Sequence, residues 1–146
     1  MTVSTVGVIG AGQMGNGIAH VMALAGYDVH LNDVNPDALE ASLGVIKKNM
    51  VRQLKSGKIA EKDQIEALSR IKRTPQIEDL GACDLIIEAA TEDEKIKQKI
   101  FDRLLPHLSQ HTILTSNTSS ISITRLASRT DRPEKFLGFH FMNPVP

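Results

Sequence analysis

A parallel α/β sheet with helices on both faces is the fold this sequence predicts. Short β-branched runs alternate with stretches of helical periodicity along the whole chain, and glycines and prolines fall at the junctions. No internal repeat or low-complexity linker interrupts that rhythm. Thr5 to Ile9 is a short β-branched run, read as a buried first strand that Gly10 ends. A helix follows at once, because Met14, Ile18, Met22 and Ala25 recur at helical spacing and Gly26 stands where a left-handed C-cap is wanted. Asp28 to Asn32 is the second strand. Asn35, Pro36 and Asp37 then supply a cap, a first-turn proline and an acid near the positive helix end, so a long helix should run from there to Lys55, where Ser56 and Gly57 stop it.

That helix has two faces. Leu39, Leu43, Ile46, Met50 and Leu54 form a core stripe, and Lys48, Arg52 and Lys55 lie on the opposite side. The basic side reads either as a solvated face or as a docking surface for a phosphorylated ligand. A third helix, Glu61 to Arg70, should turn Ile65 and Leu68 inward and return the chain to a short strand at Ile71 to Thr74. Beyond Gly81 the predicted order is strand Asp84 to Ala89, helix Glu94 to Leu105 ended by Pro106, strand Thr112 to Thr115, helix Ile121 to Ser128 and strand Phe136 to Phe141.

Composition bounds the partners. The chain has 146 residues, 41% of them apolar, enough for one domain with a real core. Its 17 basic residues balance 17 acidic ones, so neither nucleic acid nor an anionic membrane is expected as a bulk partner. A single cysteine, Cys83, excludes an internal disulfide and a cysteine-built zinc site and fits a reducing compartment, with the cytoplasm as default. The start MTVSTVGVIG lacks the basic, long apolar pattern of a signal peptide, and no run reaches the roughly 18 apolar residues of a membrane span. Export is not expected.

The turn between the first strand and first helix is GAGQMG, Gly10 to Gly15. GxGxxG alone is a weak pattern, but here it follows a strand, opens a helix and precedes an acid, Asp33, at the end of the next strand. Gly10 permits the tight turn, Gly12 lets backbone approach a pyrophosphate, and Gly15 lets the helix pack on the strand. Ala11, Gln13 and Met14 complete the loop, and the helix start presents its amides and partial positive charge to phosphates. Asp33 suits the two hydroxyls of an adenine ribose and repels a 2′-phosphate, so NAD is preferred to NADP. These features predict a Rossmann-like, doubly wound, mostly parallel sheet with a helical excursion after the second strand. A merely tight βα turn and an S-adenosylmethionine site are the competing readings of the glycines.

Ligands of such sheets sit at the carboxyl ends of the strands. After the fourth strand comes EAATE, Glu88 to Glu92, with Lys97 five residues on; after the fifth comes SNTSS, Ser116 to Ser120. Those hydroxyls and the Asn117 amide can hydrogen-bond a nicotinamide ribose or a substrate, while one serine ahead of ISITRLAS can cap the next helix. Among the histidines, His20, His30, His107 and His111 read as structural or solvated. His140 stands apart, at a strand end between Phe139 and Phe141 with Asn143 and Pro144 turning the chain, as suits a general base.

GAGQMG, Asp33, EAATE with Lys97, SNTSS and HFMNPVP, in that order and spacing, resemble the L-3-hydroxyacyl-CoA dehydrogenase family, above all its short bacterial members, the 3-hydroxybutyryl-CoA dehydrogenases. The resemblance covers essentially the whole chain. It implies NAD-dependent oxidation of a (3S)-3-hydroxyacyl-CoA to the 3-oxoacyl-CoA, or the reverse. His140 matches the catalytic base, and Ser119 the serine that hydrogen-bonds the substrate oxygen and the cofactor region. Asn117 and Asn143 match polar groups around the nicotinamide, Glu92 and Lys97 a pair lining the cofactor ribose side, and Asp33 the adenine-ribose acid. Arg52 and Lys55 resemble a helical arm receiving coenzyme A phosphates. The family continues past HFMNPVP into a strand bearing a glutamate that orients the histidine, then into a helical domain that forms a homodimer. Residues 1–146 are therefore expected to be the NAD-binding domain without that part, binding NAD but turning over poorly alone. A non-catalytic NAD-binding module is the alternative.

Overall fold

The computed structural model describes residues 2–142 and residue 145. Six strands form one sheet in the order β3-β2-β1-β4-β5-β6: β1 (Thr5–Ile9), β2 (Asp28–Asn32), β3 (Ile71–Arg73), β4 (Leu85–Glu88), β5 (Ile113–Ser116) and β6 (Phe136–Gly138). All five pairings are parallel. The order reverses between β1 and β4, because the chain leaves β1 toward β2 and β3 and returns to β1's other side. That reversal opens a crevice at the carboxyl ends of these strands, the place where doubly wound sheets bind ligands.

The helices are α1 (Gln13–Leu24), α2 (Pro36–Lys55), α3 (Glu61–Arg70), α4 (Glu94–Leu104) and α5 (Ile123–Ser128). Burial divides them by face. Ile18, Ala19 and Ala23 of α1, Leu39, Ile46 and Met50 of α2 and Ala67 of α3 pack with Val6, Val8, Val29, Leu31 and Ile87 of the strands. On the other face Phe101 and Leu104 of α4 and Leu126 and Ala127 of α5 pack with Ile86, Leu114 and Phe136. Consecutive β4 residues Ile86 and Ile87 point to opposite layers, as strand alternation requires.

Caps fix several boundaries. The Asn35 side chain accepts from the Asp37 and Ala38 amides at the start of α2, and Pro36 fills the first helical position. Gly26 closes α1 in the left-handed region at φ 104°, as expected. Gly57 does the same after α2 at φ 78°. The expected excursion after β2 is the α2–α3 pair. Its core stripe is buried at Leu39, Ser42, Ile46 and Met50, with Leu43 and Leu54 only half-buried.

Four details correct the sequence reading. Ile65 of α3 is 62% exposed; Ala67 takes the buried position, and Leu68 packs at its edge. The cap of α5 is Ser122, whose hydroxyl accepts from the Arg125 amide, so the helix begins at Ile123, two residues later than predicted. β6 stops at Gly138 instead of Phe141, because its pairing with β5 ends where β5 does, at Ser116. The helix ahead of Pro106 ends at Leu104 and tightens into a 3-10 turn over Leu105–His107. The structural histidines behave as expected: His20 is buried with Nε2 2.8 Å from Gln53 of α2, and His111 pairs with Asp84 at the amino ends of the strands. No helix among the described residues is long and apolar enough to cross a membrane.

Candidate dinucleotide site

The glycine turn does two different jobs. Gly10 has φ 101°, and a β-carbon there would lie 2.7 Å from the Ala90 backbone. A β-carbon on Gly15 would lie 1.6 Å from the Gly10 carbonyl oxygen, so that glycine lets α1 rest on the turn. Gly12 is different: a β-carbon would meet nothing within 4 Å, and its φ of −74° suits any residue. The fold needs no glycine at 12. An open approach to the backbone at the start of α1, where the positive end of the helix dipole lies and no acidic side chain intrudes, is what an incoming phosphate needs.

Asp33 follows β2 and is held from both sides. Its Oδ2 accepts from the Ala11 amide at 2.9 Å, and its Oδ1 from the Asn35 amide at 2.9 Å. The carboxylate is thus locked to the glycine turn, with lone pairs left for two ribose hydroxyls. It borders a cavity of about 520 Å³ whose walls include Gly10, Val34, Ile77, Ile96 and Ile100, with Lys99 and Arg103 at one side. Val34 is 82% exposed and Ile96 46% exposed, so two apolar side chains stand accessible at the rim of this cavity. The sequence reading missed both residues, although the signal was an apolar side chain directly after Asp33. Asp33→Ala is expected to weaken NADH binding by about 1.5–3 kcal/mol and to narrow the preference over NADPH. Parallel fluorescence titrations with the two cofactors check it, and an unchanged preference contradicts the ribose role.

A second cavity of about 280 Å³ adjoins the turn, lined by Gly12, Gln13, Met14, Ala89, Ala90, Thr91, Glu92 and Asn117. Glu92 Oε2 accepts from the Thr118 and Ser120 hydroxyls, both at 2.8 Å. Partial burial pushes its carboxyl up, but those two hydroxyls and the nearby Lys97 charge outweigh it and hold the group below the usual carboxylate range. Ser120 therefore serves Glu92 and not the helix cap.

Lys97 corrects a second expectation. It lines neither cavity and is completely buried behind them, with Nζ 2.5 Å from Oε1 of Glu88, also completely buried. Its ion-pair partner is thus Glu88, nine residues back, and its relation to Glu92 is through space alone. Glu88 Oε1 also accepts from the Ser116 hydroxyl at 2.7 Å, and Oε2 from the Ala90 amide at 2.8 Å.

His140 lies two residues past β6 and is exposed. The backbone on either side of it is tied down: the Phe139 amide donates to the Ser116 carbonyl at 3.0 Å, and the Phe141 amide to Asn117 Oδ1 at 2.7 Å. The Phe139 and Phe141 rings meet edge to face, centroids 4.8 Å apart. Asn117, expected near the nicotinamide, thus lines the second cavity and also anchors the histidine segment. Ser119 is exposed in the loop after β5, and among the described residues no hydrogen bond joins it to His140. Arg52 and Lys55 are exposed on α2 and line neither cavity. Asn143 lies outside the described residues.

Adjoining cavities at the reversal point of a doubly wound sheet, met by an open glycine at a helix start and by a locked carboxylate after β2, are those of a dinucleotide-binding domain. The model of the 3-hydroxyacyl-CoA dehydrogenase NAD binding domain matches residues 5–146, and the chain belongs to that family. It is 56% identical over 144 residues to a 3-hydroxybutyryl-CoA dehydrogenase of Bradyrhizobium diazoefficiens, covering 99% of this chain and 49% of that protein. Among solved structures, the (S)-3-hydroxybutyryl-CoA dehydrogenase of Ralstonia eutropha superposes with a TM-score of 0.96 at 43% identity, over 99% of this chain and 51% of that one. FadB2 of M. tuberculosis superposes at 0.95 with 40% identity, over 100% and 52%. The chain spans about half the length of the curated relatives it matches. Family membership decides the cofactor as NAD and sets S-adenosylmethionine aside.

Proposed function

We infer that this chain is the cofactor-binding half of an NAD-dependent dehydrogenase that interconverts (3S)-3-hydroxyacyl-CoA and 3-oxoacyl-CoA thioesters. The observation that supports the reading is the double role of Asn117, which lines the second cavity and also accepts from the amide of Phe141, the residue that follows His140. Bound NAD supplies the hydride acceptor. His140 takes the proton of the 3-hydroxyl as C3 loses its hydride, and in the reverse direction it returns that proton as an acid. The Ser119 hydroxyl donates to the same substrate oxygen, and the turn from Gly10 to Gly15 with Asp33 holds the cofactor. Asn143 contributes beside the nicotinamide.

A helical second half, corresponding to the part of the relatives this chain does not span, completes the enzyme as a homodimer and brings the carboxylate that orients His140. The acyl-CoA is the partner, without nucleic acid or membrane, and the cytoplasm the setting. The test is a titration with NADH beside a steady-state assay with acetoacetyl-CoA. The 146-residue chain should bind NADH and turn over slowly; rates matching those of a relative of full length would contradict the half-site reading.

The CoA assignment rests on the exposed basic side of α2, where Arg52 Nη2 donates to Asn49 and no carboxylate pairs with Arg52 or Lys55 among the described residues. Charge reversal at either position should raise KM for CoA esters several-fold in the complete enzyme, the scale of one phosphate contact at about 0.5–1 kcal/mol. KM for a truncated thioester lacking the nucleotide should not move. Equal effects on both substrates would return that face to a solvated role.

A further inference from the structure

We propose that Glu88 is a positioning residue whose buried carboxylate, gripped by Lys97, Ser116 and the Ala90 amide, preforms the wall shared by both cofactor cavities. The proposal rests on the NAD reading of those cavities and adds a residue that touches no cofactor in them.

The geometry carries it. A carboxylate has about four acceptor sites, and Glu88 commits three of them to three different segments. Lys97 Nζ comes from α4, the Ser116 hydroxyl from the end of β5, and the Ala90 amide from the turn after β4. The Glu88 backbone adds a fourth tie, its carbonyl accepting from the Asn117 amide at 2.8 Å. Ala90 lines both cavities and is the backbone against which Gly10 makes its close approach. Asn117 lines the second cavity and holds the His140 segment. One completely buried residue, by its side chain and its backbone carbonyl, therefore ties together the walls of both cavities, the glycine turn and the segment that bears His140.

The fold alone gives no reason for an ion pair there. Charges in a dry interior are costly to desolvate, and a buried pair is commonly replaceable by apolar residues of similar volume with no loss of stability. Glu88 and Lys97 are both fully buried beneath the lining, where Leu and Met of like size could serve the packing. What apolar residues could not supply is an acceptor for the Ala90 amide and the Ser116 hydroxyl.

The experiment separates stability from affinity. The wild-type chain is titrated with NADH first; no binding there would overturn the NAD reading itself and is distinguishable from any result below. The double variant E88L/K97M is then melted and titrated. It should still melt cooperatively and yet bind NADH at least tenfold more weakly, because the turn has lost its acceptor. Wild-type affinity in a stable double variant would overturn the proposal, leaving the pair a packing element. Where the double variant does not melt cooperatively, Glu88→Asp decides. That carboxylate keeps the charge pair but is one methylene too short to reach Lys97 and Ala90 together, so NADH should bind at least fivefold more weakly with folding retained. Unaltered NADH affinity in the aspartate variant would overturn the proposal as well.

Discussion

Replacing His140 by alanine in the complete enzyme is expected to lower kcat by about 10²–10⁴, the range for losing a general base. NADH affinity should stay within about threefold of wild type, since a base acts on the transition state and not on cofactor binding. The structure makes this a clean test. His140 is exposed and has no hydrogen-bond partner among the described residues, and its segment is held by the amides of Phe139 and Phe141 and not by the imidazole. Removing the ring leaves both anchors in place. Steady-state kinetics and an NADH titration on the same variant decide it: parallel losses in kcat and NADH affinity would make the histidine a structural element of the cavity wall.

The second large effect divides two glycines of one motif. Gly15→Ala would put a methyl 1.6 Å from the Gly10 carbonyl oxygen, and α1 could accommodate it only by lifting off the turn. Loss of about 3 kcal/mol or more is expected, the upper range for overpacking a tight site. Gly12→Ala meets no atom within 4 Å. It should cost about 1 kcal/mol or less, the scale of a poorer N-cap, while its methyl occupies the path by which a pyrophosphate reaches the helix start. NADH binding should fall at least tenfold, or about 1.4 kcal/mol of steric conflict. Chemical denaturation beside NADH titration reads both variants. If Gly12→Ala bound NADH normally, the phosphate would not pass there.

Much of this was legible in the sequence because its punctuation is local. Asn35-Pro36 and Ser56-Gly57 bracket α2 at its observed ends, and Gly10 closes β1, because caps and positive-φ glycines act within a turn of themselves. What was misread depends on distance through space. Lys97 stands five residues from Glu92 and nine from Glu88, and sequence proximity favoured Glu92; the loop turns Glu92 outward to Thr118 and Ser120 while α4 drives Lys97 inward onto the end of β4. Ile65 lies on the apolar spacing of α3 but faces solvent, because only a narrow stripe of that short helix touches α1 and α2. The first cavity joins Val34 to Ile96 across two crossovers, which no local pattern announces.

The reversal of strand order has a kinetic side. β1 and β4 pair Val6 with Leu85, so the chain must close a loop of about eighty residues, whose entropic penalty grows only with the logarithm of its length but is met before any contact rewards it. All-parallel pairing gives this domain no hairpin to start from, and such topologies fold slowly. The cleft between β1 and β4 is the seam closed by that long loop, so it does not exist until the two halves of the sheet have met. A dinucleotide bound as proposed would touch Asp33 and Gly12 from one half and Ala90 and Asn117 from the other. Its binding energy therefore adds to a contact between residues about eighty positions apart, raising stability by RT ln(1 + [L]/Kd).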